Sequence, residues 1–560
     1  MAPVVFNEVY AASDMEVQKN RALTKPMGRV NMRHQTLVIA KRKTLASMPS
    51  SNEKLAQSLQ ALHALEPARA IPAKALTRVH RERLRNAGFL SEVVKGWYIQ
   101  TRPDDGTGTG TAWFASMREF VAGYCTERFG DDWHVGPEQS LLMHTGERSL
   151  PAQLQVWARA AGNQSLSLPH GTSLFLYKAP RLHPSRPNAD AGGLRLVELE
   201  SALVAAGPAF FSQQPLAATI ALRSLAEGSN LIRILLAGSH SVVAGRLAGA
   251  LRELGRSEIA DEIVQAMRAA DYTVVETNPF QQPVHTTPGG QPQTPYVQRI
   301  RLMWADMRQT VIDTLPAPAK KIDGILRVLA DVEARYVADA YHSLSIEGYR
   351  VTPELIEKVR KGRWDPDGDD RGARDAMAAR GYFEAHNAVK DSVSTILKGL
   401  NPGKALRKSH GAWYRALFAP SVQAGVLKPQ DLAGYRNEQV FIRGALHVPL
   451  SKEAVRETMP VLFELITQEE HPAARAVLGH FLFVYIHPYM DGNGRLGRFL
   501  MNALLVAGGY PWTVVPVEQR EAYMSALEQA STHRNIAPLA KFLGKLISEQ
   551  RKRPLKRPAL

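Results

Sequence analysis

Twelve consecutive residues, His487-Pro-Tyr-Met-Asp-Gly-Asn-Gly-Arg-Leu-Gly-Arg498, combine a base, an acid, two cations and closely spaced glycines. An unperturbed imidazole titrates at about pH 6.5, so His487 can take a proton from an attacking hydroxyl near neutrality. Asp491 is the only acid in the run and is suited to holding Mg2+ against phosphates. Gly492 and Gly494 let a backbone approach phosphate oxygens with no Cβ in the way. Asn493 can donate to a phosphate oxygen while uncharged, and Arg495 and Arg498 can add charge-assisted bonds. Singly these are ordinary: a His at a helix end is usually a cap, a Gly-x-Gly usually a turn, two arginines usually a solvated face. The chemistry rests on their conjunction.

Two helices must position that run. Ahead of it, AARAVLGHFLFVYI is apolar around most of its circumference, which predicts a central buried helix stopped at Pro488. Behind it, GRFLMNALLVAGG predicts a second buried helix ending at Gly508-Gly509. The Gly-Asn-Gly loop then opens onto a helix N-terminus, whose free N–H groups and positive dipole end cradle phosphate. Upstream, YRNEQVFIRGALHVPL (Tyr435 to Leu450) has two short β-like runs around Arg443-Gly444, which predicts a hairpin with Val440, Phe441, Ile442, Arg443 and Gly444 at its tip. Earlier still, Ile325, Val328, Leu329, Val332 and Tyr336 recur at helical spacing in a segment that closes with Ser343-Leu-Ser-Ile-Glu347-Gly348. Ser343 and Glu347 lie four apart and share a face; Gly348 ends the helix, and Thr352-Pro353 begins the next as N-cap and N1.

The twelve-residue run resembles the signature of the Fic family, His-Pro-Phe-x-Asp/Glu-Gly-Asn-Gly-Arg-x-x-Arg, departing only in Tyr489 for Phe. The resemblance implies a mostly α-helical core over about residues 300–550. It makes His487 the general base, Asp491 the metal ligand, and Gly492, Asn493, Gly494, Arg495 and Arg498 the phosphate-binding set. This version of the signature is typical of AMP transfer, so the implied reaction moves AMP from ATP, with Mg2+, onto a Tyr, Ser or Thr hydroxyl of a target protein. UMP transfer, phosphorylation and removal of AMP stay open. Tyr435–Leu450 looks like the family's flap, which pairs with a target peptide by main-chain bonds. Ser343–Gly348 resembles the family's inhibitory motif, Ser/Thr-x-x-x-Glu-Gly/Asn, in which the Glu pairs with the second Arg, here Arg498, and blocks the ATP γ-phosphate. An autoinhibited enzyme is the expectation.

The remainder of the 560 residues leaves room for two to four domains. No stretch approaches the ~20 apolar residues of a membrane helix, and MAPVVFNEVYAASDMEVQKN has no secretory pattern. Cys125 is the only cysteine, so neither an intramolecular disulfide nor a cysteine-based zinc site is expected, and a cytoplasmic location fits. A formal charge of +16 and a pI of about 9.8 suggest a polyanionic partner, nucleic acid being the commonest.

Residues 1–51 read as a poorly ordered arm. Over 52–102, Leu55, Leu59, Leu62 and Leu65 mark one helix. AKALTRVHRERLRNAG marks a second, with Leu76, Val79 and Leu84 on one side, and FLSEVVKGWYIQ a hairpin turning at Lys95-Gly96. Helix, helix and hairpin make a winged helix, with Arg78, Arg81, Arg85 and Lys95 as candidate DNA contacts. DDGTGTGT reads as a flexible loop, since no Lys-Ser/Thr follows it. A mixed α/β regulatory domain is expected over 103–277, a Pro/Gly/Gln-rich linker over 278–296, the Fic domain with its inhibitory helix over 297–550, and a basic tail over 551–560. The N-terminal half resembles AbiEi-type antitoxin regulators in RLRNAGFLSEVVKGWYI and VGPEQSLLMHTGERSLPAQLQVW. The fold class is therefore mainly α: an all-α core with a β-hairpin flap, a winged helix and a mixed regulatory domain. The competing function is a DNA-binding, antitoxin-type regulator whose Fic half is a sensor or toxin; a homodimer stays open.

Overall fold

The computed structural model describes residues 50–103, 110–280, 293–319, 324–363 and 373–552. Nearly all of the expected arm, the Gly/Thr loop, much of the linker and most of the basic tail lie outside the described residues. The described chain forms two compact units, 50–103 and 110–552.

In the smaller unit, α1 (Ser51–His63) opens with a capping box: Ser50 Oγ accepts from the Glu53 N–H, and the Glu53 carboxylate accepts from the Ser50 N–H. There follow β1 (Ala70–Pro72), α2 (Arg78–Asn86), β2 (Leu90–Val94) and β3 (Trp97–Gln100). The strands form an antiparallel sheet in the order β1-β3-β2, with the expected turn at Lys95-Gly96. Three details differ from the sequence reading. Strand β1 is additional. The second helix begins only at Arg78, where the Thr77 hydroxyl accepts from the His80 N–H, because Ala73–Ala75 is a 3-10 turn. Val79 is 59% exposed while Leu76 and Leu84 are buried, since five residues of helix turn Val79 well away from Leu84.

The larger unit begins with a mixed part: α3 (Thr111–Phe129), β4 (Trp133–Val135), α4 (Pro137–His144), β5 (Gln153–Ala158), β6 (Gln164–Ser167), β7 (Ser173–Lys178), β8 (Ser185–Pro187) and β9 (Arg195–Val197). Strands β4-β5-β7-β6 form one sheet, in which β5 and β7 run parallel. Short helices follow: α5 (Leu199–Ala205), α6 (Pro208–Gln213), α7 (Pro215–Arg223), α8 (Ser229–Ala237), α9 (Ser241–Glu253) and α10 (Ser257–Ala269).

The helical half comprises α11 (Pro295–Thr314), α12 (Ile325–Ile346), α13 (Pro353–Arg360), α14 (Ala373–Leu397), α15 (Pro402–Gln423), α16 (Lys452–Gln468), α17 (Pro472–Ile486), α18 (Asn493–Ala507), α19 (Arg520–His533) and α20 (Ala537–Lys552). Helices α17 and α18 are buried on nearly every side, as their composition requires, and form the centre of one core. Leu216 and Ile220 of α7 belong to that same core, so the mixed part packs directly on the helical half. Among the described residues no helix is long and apolar enough to cross a membrane.

Candidate active site

Helix α17 ends at His487, whose φ of 57° and ψ of 63° are left-handed, a conformation that costs energy in any residue with a Cβ. Arg436 holds the turn. Its N–H donates to the Pro488 carbonyl at 2.9 Å and its Nε to the His487 carbonyl at 2.8 Å. The same buried guanidinium donates to the Glu438 carbonyl at 2.7 Å and to the Leu450 carbonyl. It thereby ties both ends of the segment upstream to the backbone of His487. Nothing in YRNEQ marks this arginine, because its partners lie as far along the chain as His487 and Pro488.

The loop after His487 is closed from within. Tyr489 is buried and stacks on Tyr414, ring centroids 4.0 Å apart and 16° from parallel, so the hydroxylated ring still anchors in the core. The Asn493 side chain accepts from the Tyr489 N–H at 2.9 Å and donates to the Tyr489 carbonyl at 2.8 Å. The amide therefore shapes the loop with its oxygen and one N–H, which leaves its second N–H for the phosphate contact expected of it. Gly492, at φ 78°, caps α18 and turns the chain into it.

The Nδ1–H of His487 donates to the Val484 carbonyl at 3.1 Å, which leaves the lone pair on Nε2. Nε2 is buried without a hydrogen-bond partner among the described residues. Burial first, and the Arg436 cation second, push the imidazole down to about 3 against the pull of the Val484 carbonyl, so the ring is neutral at physiological pH. His134, His386, His447 and His480 are pushed down to about 4, burial again being the largest cause. Between an ordinary value of 6.5 and about 4 the unfolded chain binds protons at these rings that the folded chain refuses. Their contribution is therefore full above 6.5 and is lost as pH falls toward 4. Burial lowers His144, His183, His342 and His410 in the same direction, while Asp339, pushed up to about 6 by burial, and Glu528, also raised by burial, oppose these nine imidazoles. The urea midpoint is expected to fall steadily from about pH 7 to about pH 5; a flat or rising midpoint contradicts this account.

At the other end of the site, Asp491 Oδ1 accepts from the Gly492 N–H at 2.6 Å and Oδ2 from Arg495 Nη2 at 3.2 Å. The Arg495 guanidinium lies 5.2 Å from the ring centroids of both Tyr349 and Phe418. Tyr349 escaped the sequence reading, although it directly follows the Ser343–Gly348 segment. Arg498 is held by the segment Ser343–Glu347. Its Nε donates to Ser343 Oγ at 2.9 Å, and its Nη2 donates to the Ser343 carbonyl at 3.1 Å and to the Glu347 carboxylate. Both charged side chains of that pair are 4% exposed. Gly348, at φ 84°, ends α12, and the Thr352 hydroxyl caps α13 by accepting from the Leu355 N–H. A Cβ added at Gly494 would run into Glu347 Oε1, so that carboxylate rests against the first turn of α18.

The expected hairpin is corrected. Arg443-Gly444 does turn, with Ala445 N–H donating to the Ile442 carbonyl at 3.2 Å, but no strands flank it. The backbone groups find partners elsewhere. Gln439 Nε2 donates to the Val440 and Pro449 carbonyls, the Gly444 N–H to Thr111 Oγ1, and the Leu446 N–H to the Glu528 carboxylate. Val440 and Phe441 are buried; Arg443 and Gly444 are exposed.

The DNA-contact candidates lie in the separate smaller unit and divide. Arg81 is turned inward, donating to the carbonyls of Ala73 and Leu76. Arg78 pairs with Glu82 at 2.7 Å but is 83% exposed, Arg85 lies 3.8 Å from Glu92 and is 51% exposed, and Lys95 is exposed at the hairpin turn.

With this geometry, comparison with known proteins is informative. Residues 410–505 match the Fic/DOC family, and the chain contains a Fic domain. A protein named protein adenylyltransferase Fic from Nematostella vectensis is 28% identical over 227 residues, 40% of this chain and 49% of that protein. One of the same name from Drosophila grimshawi is 29% identical over 212 residues, 37% of this chain and 40% of that protein. The match thus spans half or less of the length of these curated relatives. Among solved structures, a fragment of Fic-1 from C. elegans aligns with 61% of this chain and 97% of its own at 19% identity and a TM-score of 0.34. A Fic family protein from Desulfovibrio desulfuricans aligns with 42% and 77% at 19% identity and a TM-score of 0.31.

Proposed function

We propose that the chain is a protein adenylyltransferase that moves AMP from ATP onto a hydroxyl of a target protein. The observation that carries this reading is the pairing of an imidazole whose Nε2 holds a lone pair with a helix N-terminus flanked by Arg495 and Arg498. The target oxygen bonds to the α-phosphorus, the bond from that phosphorus to the bridging oxygen breaks, pyrophosphate leaves, and the hydroxyl proton goes to His487 Nε2. The N-terminus of α18, with Gly492 and Gly494, receives phosphate oxygens, while Arg495 and Arg498 steady the triphosphate. The names of the curated relatives support the same activity.

Among the described residues no group of three or more His, Cys, Asp or Glu side chains could hold a metal. A lone carboxylate nevertheless suits Mg2+, which is commonly bound by one or two carboxylates with the rest from phosphates and water. Asp491 is the residue that would hold it, and the ion when bound would neutralise phosphate charge. We read Ser343, Glu347 and Gly348 as the inhibitory element: with its carboxylate on Arg498 and against Gly494, Glu347 takes the place a γ-phosphate needs. The test is incubation of cell lysate with the Glu347→Gly chain and ATP labelled at the α-phosphate, expected to label protein. Label arriving from the γ-phosphate instead means phosphoryl transfer and sinks the reading.

We assign the segment 52–102 to DNA binding, 103–277 to regulation and 297–550 to transfer. The exposed Arg78, Arg85 and Lys95 on α2 and the adjoining hairpin favour a DNA contact. Replacing Arg85 and Lys95 by Ala is expected to flatten the log-log salt dependence of DNA binding by roughly 0.9 per lost phosphate contact. Arg81→Ala is expected to leave the slope unchanged and to lower the thermal midpoint instead, because its guanidinium serves backbone carbonyls. An unchanged slope in the double variant removes this face from the interface.

A further inference from the structure

The edge of the segment Tyr435–Leu450 is not free. The Leu150 N–H, from the mixed part of the chain, donates to the Leu446 carbonyl at 3.0 Å, a main-chain bond of the kind an added extended peptide makes. From the same mixed part, Thr111 Oγ1 accepts from the Gly444 N–H at 3.2 Å, and Arg148 Nη2 donates to Gln439 Oε1 at 3.3 Å. Leu150 is buried, and the Ser149 hydroxyl oxygen is buried without a hydrogen-bond partner. The segment is anchored by its neighbour: the Glu147 carboxylate pairs with Arg299 of α11, only 2% exposed, whose Nε donates to the Tyr485 hydroxyl two residues before His487. Breaking one half of such a buried pair strands the other charge.

The contact is also poised to release. Glu147 pairs with the Arg299 guanidinium, whereas Arg118, Arg148 and Arg436 donate to carbonyl oxygens. Burial first, and Arg148 second, push the Arg436 guanidinium down to about 9. Arg148 and Arg436 serve the same segment, Arg148 through Gln439 and Arg436 through the Glu438 and Leu450 carbonyls, and their like charges oppose each other.

We propose that residues Glu147–Leu150 are a tethered stand-in for the target: they occupy the edge of the Tyr435–Leu450 segment, and a target strand gains access to His487 only when they leave. This rests on the adenylyl-transfer reading and adds a second block to it, one on the target and independent of the block by Glu347 on ATP. Relief of either block raises transfer, and full opening relieves both.

The test uses the full chain carrying Glu347→Gly, with and without Glu147→Gln, and with Thr111→Val as a milder release that leaves no buried charge unpaired. Expected results are about a threefold to tenfold rise in AMP incorporated into lysate protein from α-labelled ATP with Glu147→Gln. Thr111→Val should give a smaller rise in the same direction, ATP affinity should stay unchanged, and hydrogen exchange at the Leu150 and Gly444 amides should accelerate. Faster exchange with unchanged transfer overturns the gate, as does unchanged exchange in both variants. If Glu347→Gly transfers label and neither release variant adds to it, the gate alone has failed. No transfer from any variant overturns the adenylyl-transfer reading and the gate with it.

Discussion

His487→Ala, made in the Glu347→Gly background so that a baseline can be measured, is expected to lower AMP transfer by about 10²- to 10⁴-fold, the usual cost of losing a general base. The site separates the two jobs that an activity assay confounds. Nδ1–H of His487 is fixed on the Val484 carbonyl and the lone pair sits on Nε2, so the ring can address a hydroxyl, while the phosphate-facing groups belong to α18. ATP affinity, read by calorimetry, should therefore stay within about a factor of two or three, less than half a decade in free energy. The backbone at this position is already left-handed with a Cβ present, so alanine adds no new class of strain. Loss of the imidazole also removes one of the buried rings that make the fold acid-sensitive, and the variant should resist acid slightly better. Transfer above a few per cent of the parent, with ATP binding intact, means that another group takes the proton.

What could be read from the sequence follows from how local each determinant is. Helices α17 and α18 were legible because a segment buried on all sides must be apolar on all sides, and glycine marks where each stops or starts. The Ser343–Glu347 pair was legible because four residues of helix make one turn, which brings both to Arg498. The segment 435–450 misled for the converse reason. Alternation in VFIRGALHV satisfies the local rule for strands, but strands also need a partner edge, and here Thr111, Leu150 and Glu528 serve the backbone from far along the chain. The loop-shaping role of Asn493 was hidden for a similar reason, since its bonds to Tyr489 depend on how the loop closes. Arg81 looked like its neighbours on α2, and only the carbonyls of the 3-10 turn beneath it draw it inward. Arg436, the tie between that segment and His487, could not have been picked out by any local pattern.

Glu347→Gly is expected to raise labelling of target protein and of the chain itself by tenfold to a hundredfold, the range set by a bias of about 1.4–3 kcal/mol between two occupants of one arginine. The competition is direct. Arg498 has given Nε to Ser343 and Nη2 to Glu347 and the Ser343 carbonyl, so a γ-phosphate meets a guanidinium already engaged along its Nε–Nη2 edge. The carboxylate also rests on the first turn of α18, where a Cβ at Gly494 would run into it, so charge and volume both exclude the phosphate. A triphosphate lacking that anchor loses the in-line geometry at its α-phosphorus, and rate falls even where nucleotide still binds. The variant should accordingly raise kcat more than it tightens ATP. Arg498→Ala is the discriminating control. It frees Glu347 as completely as deletion does, yet it removes the cation that the γ-phosphate requires, so it should not activate. Activation by both variants, or by neither, leaves the Ser343–Gly348 turn as a helix end with no part in control.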